Sequence, residues 1–146
     1  MTGHTRSQVA DGLARYIAAA GLCRYSPTGV YPVDPLPAAV FGTFPDSPAD
    51  AIGLRVYNES GDRDDANPDV YVQLRFRRAG KDPRPTDDFA DAVKNLLHDR
   101  ERFVLPGGIR VLLCRRVVTA STTPDASARY SRPDSYRLTL NAKATP

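Results

Sequence analysis

The sequence predicts an α+β fold, a mainly antiparallel sheet with two helices packed on it, in the order α-β-β-β-α-β-(β)-β. Three observations carry that prediction. In residues 69–78, Asp-Val-Tyr-Val-Gln-Leu-Arg-Phe-Arg-Arg, the apolar Val70, Val72, Leu74 and Phe76 alternate with Tyr71, Gln73, Arg75 and Arg77. A strand with one buried face needs that period of two, because successive side chains point to opposite sides of the sheet. Two other stretches repeat apolar residues every three or four positions, as amphipathic helices do. The 146 residues, 41% hydrophobic and 25% charged, are globular in composition and enough for one domain over 1–146 to bury a core.

Taken in order, residues 7–20 read as a helix. Ser7 is placed to cap it, Val9, Leu13, Ile17 and Ala20 form its stripe, and Gly21 stops it. Arg15 and the Tyr16 hydroxyl lie off the stripe. Residues 22–37 hold Pro27, Pro32, Pro35 and Pro37, so an extended connector without ladder pairing is expected. Leu22, Tyr25, Val30, Tyr31, Val33 and Leu36 keep it along the body. A short strand follows at 38–44, then one at 51–57 with Ile52, Leu54 and Val56 inward. Residues 58–68 are the polar turn of a long hairpin. After the connector 77–85, Thr86 is placed to cap a second helix, with Asp87 and Asp88 in its first turn and Phe89, Val93, Leu96 and Leu97 inward. Residues 102–105 supply the optional strand. Pro106-Gly107-Gly108 turns into the longest strand, Ile109–Ala120, whose Val-Leu-Leu-Cys centre suggests cover on both faces. Residues 121–135 read as a long polar loop, and Tyr136, Leu138 and Leu140 as the inward face of the last strand. Both long loops, 58–68 and 121–135, are expected to be mobile in a free subunit and to order in an assembly.

The search for chemistry comes back empty. His4 and His98 have no nucleophile or carboxylate at a recognisable spacing. Asp62, Asp64 and Asp65 lack the glycine-centred order and final glutamate of a calcium loop. Gly107-Gly108 is not followed by Lys-Ser/Thr, so it makes no phosphate loop. Catalytic, metal and cofactor-binding residues are each expected to be none. Cys23 and Cys114 read as separate thiols of a cytoplasmically folded protein. The N-terminal run Met-Thr-Gly-His-Thr-Arg-Ser has no signal-peptide character, and no stretch approaches the roughly 20 apolar residues of a membrane span. A net charge of +3 with acids and bases interspersed is not the footprint of a nucleic-acid binder.

What stands out is the polar face of the 69–78 strand. Tyrosine, glutamine and arginines are residue types enriched where proteins meet. A solvated outer face is the plain reading; a subunit contact or lumen lining is the sharper one. Candidate contact residues are Tyr71, Gln73, Arg75 and Arg77 on the strand, with Arg129, Tyr130 and Arg132 in the polar loop. A different class of reading is an α+β nucleic-acid module using Arg75, Arg77 and Arg78 with Tyr71 as a platform.

Four stretches, taken with the order of elements, resemble the tail terminator (minor capsid or tail-completion) proteins of long-tailed bacteriophages. They are the N-terminal helix leading into Phe-Gly-Thr-Phe-Pro-Asp-Ser-Pro-Ala-Asp-Ala-Ile-Gly-Leu, the Asp-Val-Tyr-Val-Gln-Leu-Arg-Phe-Arg strand, the Asp-Phe-Ala-Asp-Ala-Val-Lys-Asn-Leu-Leu-His helix before a Gly-Gly turn, and the closing Ser-Tyr-Arg-Leu-Thr-Leu-Asn. The resemblance implies a non-enzymatic virion protein of the tail or neck, assembled in the host cytoplasm. It implies a homo-oligomeric ring of six copies on the tail tube protein, ending tube growth and offering a surface to a head-side connector or stopper protein. Genome DNA would pass through the pore without sequence reading, and no membrane is involved. The chain departs from shorter relatives in its 22–37 connector, an arm available to a neighbour.

Overall fold

The computed structural model describes residues 4–32, 34–61 and 66–141. Helix α1 (Arg6–Ala19) precedes strands β1 (Ala38–Val40), β2 (Ala51–Ser60) and β3 (Asp69–Arg77). Helix α2 (Arg84–Leu97) follows, then β4 (Arg100–Leu105), β5 (Ile109–Thr119), β6 (Thr123–Pro124) and β7 (Tyr130–Leu140). The strands form one sheet ordered β1-β2-β3-β7-β5-β4, with β6 beside β7. Every pairing is antiparallel except β1 with β2. The predicted class and element order hold, and the optional strand exists as β4.

The sheet curls. Helix α1 packs against β2 near one edge and β4 at the other, while α2 lies over β3, β7 and β5. Both helices therefore fill the concave side. Val72, Leu74 and Phe76 are fully buried there, with Val70 5% exposed, as the alternation predicts. Burying each such side chain contributes about 1.5–3 kcal/mol. Phe76 meets Phe89 of α2 edge-on, with ring centres 5.1 Å apart.

Local chemistry shifts several predicted boundaries. Thr5, not Ser7, caps α1. Its hydroxyl accepts from the Gln8 N–H at 3.1 Å while the Gln8 side chain accepts from the Thr5 N–H at 2.8 Å, a reciprocal capping box. Val9, Leu13 and Ile17 are buried, whereas Ala20 is the exposed C-cap. Tyr16 does not face water alone but packs on Phe103 of β4 with ring centres 5.0 Å apart. Gly12 is the close-approach point, since a Cβ there would sit 2.8 Å from the Pro106 carbonyl oxygen. Helix α2 begins two residues before Thr86. The Thr86 hydroxyl is no cap; it accepts from the Arg78 N–H at 3.2 Å and donates to the Tyr130 carbonyl at 3.1 Å, tying α2 to the ends of β3 and β7.

Two expectations about irregular chain are corrected. The first strand ends at Val40, three residues long, because residues 41–44 turn away over the outer face. Residues 121–135 are not one loop. Thr123–Pro124 pairs with Tyr130–Ser131, and β7 already runs from Tyr130 between β3 and β5. Its first half is polar yet buried, because its cations and carboxylates answer one another. Only the 125–129 turn remains irregular between these strands. The 58–68 hairpin shortens too, since β2 extends to Ser60; residues 62–65 lie outside the described ones. In the connector, Arg24 makes an isolated parallel bridge to Ala38, so some ladder pairing exists. Its guanidinium donates to the Pro32 and Leu36 carbonyls, and Tyr31 donates to the Ala39 carbonyl. The described part of the connector is thus held on its own subunit.

The β5 strand is not evenly covered on both faces. Bulges between Val111 and Leu113 and between Arg116 and Val118 rephase it, leaving Leu112 and Leu113 half-buried. Ile109, Val111 and Cys114 face the core.

Candidate assembly surface and a buried arginine network

The convex side of the sheet has no helix, and register lays out what it shows. Gly53, Arg75 and Pro133 form one cross-strand row, and Arg55, Gln73 and Ser135 the next. Tyr71, Arg137 and Arg115 form a third. The bulge between Val56 and Asn58 brings Tyr57 beside Tyr71, ring centres 6.2 Å apart. Arg55, Gln73, Arg75 and Arg115 are exposed and Arg137 half-buried. A hollow of about 430 Å³ opens between this face and residues 41–44, lined in part by Phe41, Phe44, Arg55, Gln73 and Arg75.

At one end of that face residues 41–50 fold across the strands, and Arg77 is the reason. It is only 3% exposed. Its guanidinium donates to the carbonyls of Ala49 (2.7 Å), Pro48 (3.0 Å) and Pro45. The Phe44 ring lies 4.6 Å from the Arg77 guanidinium carbon and 5.5 Å from that of Arg75, a cation–π arrangement. Burial and the nearby Arg129 cation hold the Arg77 pKa below its ordinary value. Arg129 clamps the same segment, donating to the Asp46 carbonyl at 2.8 Å and pairing with Asp125 at 3.3 Å. The carboxylate of Asp125 is held below its usual range, first by the Arg129 backbone N–H and also by those of Ser127 and the Arg129 cation.

The concave side carries a second cluster where α2 crosses β7. Asp134 is 1% exposed. It accepts from Arg132 at 3.1 and 3.2 Å and from the Thr119 hydroxyl at 2.6 Å, with Arg116 at 3.6 Å. Arg132 reaches on to Asp87 and Asp91 of α2, each at 3.2 Å, and Asp87 also accepts from Thr122. Against the loss of solvation, these carboxylates raise the Arg132 pKa. A buried charge is tolerable only when answered in this way. The Tyr136 hydroxyl beside the cluster is buried and finds no hydrogen-bond partner among the described residues; desolvation pushes its pKa up.

Of the seven residues the sequence singles out, Tyr71, Gln73 and Arg75 lie together on the open convex face. Tyr130 sits half-buried at the β6–β7 pairing. Arg77, Arg129 and Arg132 spend their guanidinium groups inside the subunit. Arg77 and Arg132 are buried, Arg129 is partly exposed, and Gln73 and Arg75 are exposed. Sequence reasoning missed Arg55, Tyr57, Arg115 and Arg137. The first two were findable, because they alternate with the inward Leu54 and Val56. His98, for which the sequence shows no catalytic partner, is a staple whose Nδ1 accepts from the Arg116 N–H at 3.0 Å.

Both cysteines are free and buried. Burial pushes each thiol from its ordinary 9.0 up to about 12, so neither is a ready nucleophile. Among the described residues no cluster of His, Cys, Asp and Glu is placed to hold a metal ion, and no described helix is long and apolar enough to cross a membrane.

The described residues thus form a curled, mostly antiparallel sheet with two helices on one side and an open polar face on the other. The family described as bacteriophage tail terminator protein matches residues 16–142. The chain belongs to that family. It spans every strand and α2, from the last turn of α1 to the end of β7. No curated protein sequence matches the chain. Membership makes this tail terminator protein a structural component of a phage virion, associated with other tail and head components.

Proposed function

We propose that the protein, acting as one domain over 1–146, forms a six-copy ring on the last ring of the tail tube, ends tube polymerisation and presents the surface to which the head joins. The family match over 16–142 carries this reading. The open convex face, bearing Tyr71, Gln73 and Arg75, supports it, because large planar and donor-rich side chains are types enriched where proteins meet. Its neighbours are the tube protein below and a head-side connector or stopper protein above, at the neck of a virion assembled in the host cytoplasm. DNA crosses the lumen without base-specific contact, and no catalytic step is involved.

The test is complementation of a phage lacking this gene, followed by electron microscopy of lysates. Without the protein, overlong tubes or tails without heads are expected, and the wild-type copy restores normal particles. Tails of normal length already joined to heads in its absence would overturn the proposal.

The nucleic-acid reading keeps one supporting observation, the adjacency of Tyr57 and Tyr71 to Arg55, Arg75 and Arg137 on one face. It predicts retention of single-stranded DNA at low salt, lost in Arg75→Ala.

A further inference from the structure

The convex face carries cations that the described carboxylates leave unpaired; among the described residues Arg75 has only the Ser131 hydroxyl at 3.4 Å and the Phe44 ring. Arg137 stands directly opposite Arg115, and like charges in that position weaken a sheet. Arg115 has Asp99 at 3.5 Å. No carboxylate among the described residues lies within ion-pair distance of Arg137, Arg55 or Arg75.

The opposite side of the subunit carries the complement. Asp87, Asp88 and Asp91 stand in the first two turns of α2. Arg84 already closes on Asp82 at 2.7 Å, and Asp87 and Asp91 each reach Arg132 at 3.2 Å, which leaves Asp88 with no cation in ion-pair distance among the described residues. Asp88 and Asp91 are exposed. Next to Asp88 opens a hollow of about 380 Å³ lined by Leu22, Leu36, Pro85, Phe89 and Ala92 among others, with Leu36 39% exposed; Arg78 also lines it, its charge met by Asp50 at 3.3 Å. The basic face offers a matching projection, the 43% exposed Tyr57. Because α2 covers the concave side and the arginines point from the convex side, the two patches face apart. Such patches cannot satisfy each other within one subunit, but can between copies.

We infer that the convex arginine–tyrosine face of one copy docks on the α2 face of the next, Arg55, Arg75 and Arg137 meeting Asp88 and the exposed Asp91, and Tyr57 entering the Leu22–Leu36 hollow. The inference rests on the reading that copies of this chain associate, and it names the two surfaces that do so. A contact between two different patches repeats head to tail and closes into a ring when the rotation allows. A duplex would answer the arginines but would leave the hollow beside Asp88 unused, so a second copy accounts for both patches.

The experiment measures oligomeric state by sedimentation velocity for the wild type, for Arg55→Glu/Arg137→Glu and for Asp88→Arg. These side chains are at the surface, and thermal melts confirm that each variant folds. Each variant alone is expected to associate at least about tenfold more weakly than wild type. An equimolar mixture should recover assemblies, because each reversed patch then meets a reversed partner. Neutral Arg55→Ala/Arg137→Ala serves as a second probe and should give an intermediate loss. Wild-type assembly that survives in both reversed variants would overturn the inference while leaving the ring reading intact. The same follows if each variant fails alone and the mixture stays dissociated. A wild type that remains monomeric at every concentration would overturn both. Duplex DNA retained by wild type and lost in Arg55→Glu/Arg137→Glu, with oligomeric state unchanged, would assign the face to phosphates instead.

Discussion

Arg132 and Arg137 lie five residues apart on one strand and live under opposite rules. Arg132 points to the concave side under α2, where Asp134, Asp87 and Asp91 answer it within 3.2 Å. Arg137 points to the convex side, faces Arg115 across the strands, and has no carboxylate in reach among the described residues. The contrast teaches where charge serves the fold. A guanidinium leaving water must find compensation inside its own subunit, because a buried, unanswered charge costs several kcal/mol. A guanidinium that stays in water faces no such demand, so its lack of a partner is a choice available to assembly.

The sharpest way to break the comparison is Arg132→Ala. It leaves Asp134 buried with only Arg116 and Thr119, and stability should fall by about 3–5 kcal/mol in urea unfolding. A loss below about 1 kcal/mol would mean that the cluster is solvated in practice. Arg77→Ala tests the same rule at the other end of the sheet. It strands the Pro45, Pro48 and Ala49 carbonyls and frees residues 41–50, a loss of about 2–3 kcal/mol. Faster proteolytic cutting within 41–50 is expected in that variant, and an unchanged cleavage pattern would remove its anchoring role.

Tyr136→Phe sharpens the contrast from the other direction. The buried hydroxyl it deletes has no partner among the described residues, so stability should hold or rise by about 1 kcal/mol. A clear loss would show that a water or Asp134 satisfies the hydroxyl. The smallest effect belongs to the exposed side. Arg55→Glu/Arg137→Glu should change monomer stability by no more than about 0.5 kcal/mol, with its consequence confined to association. Destabilisation comparable to Arg132→Ala would mean that the exposed arginines serve the fold as the buried one does.

Alternation and helical spacing were enough to place the core. Val70, Val72, Leu74 and Phe76 are inward as read, and so are Leu13, Ile17, Phe89 and Val93, because burial of an apolar face needs only a local period. The class, element order and family resemblance were legible for the same reason. Residues 121–135 were not. Their polarity reads as loop when each residue is judged alone, and Ser131, Arg132 and Asp134 become a central strand only because Thr119, Arg116 and two α2 carboxylates arrive from elsewhere in the chain.

Of the contact residues proposed from sequence, the strand's alternation by itself separates Tyr71, Gln73 and Arg75 from the core face, since side-chain direction along a strand is set by the backbone. That Arg77, on the same face, is withdrawn from the surface was decided only by tertiary structure. The carbonyls of Pro45, Pro48 and Ala49, about thirty residues away in sequence, close over it. Sequence fixes which way a side chain points; whether water, a loop or another subunit meets it there depends on chain that local pattern cannot bring into contact.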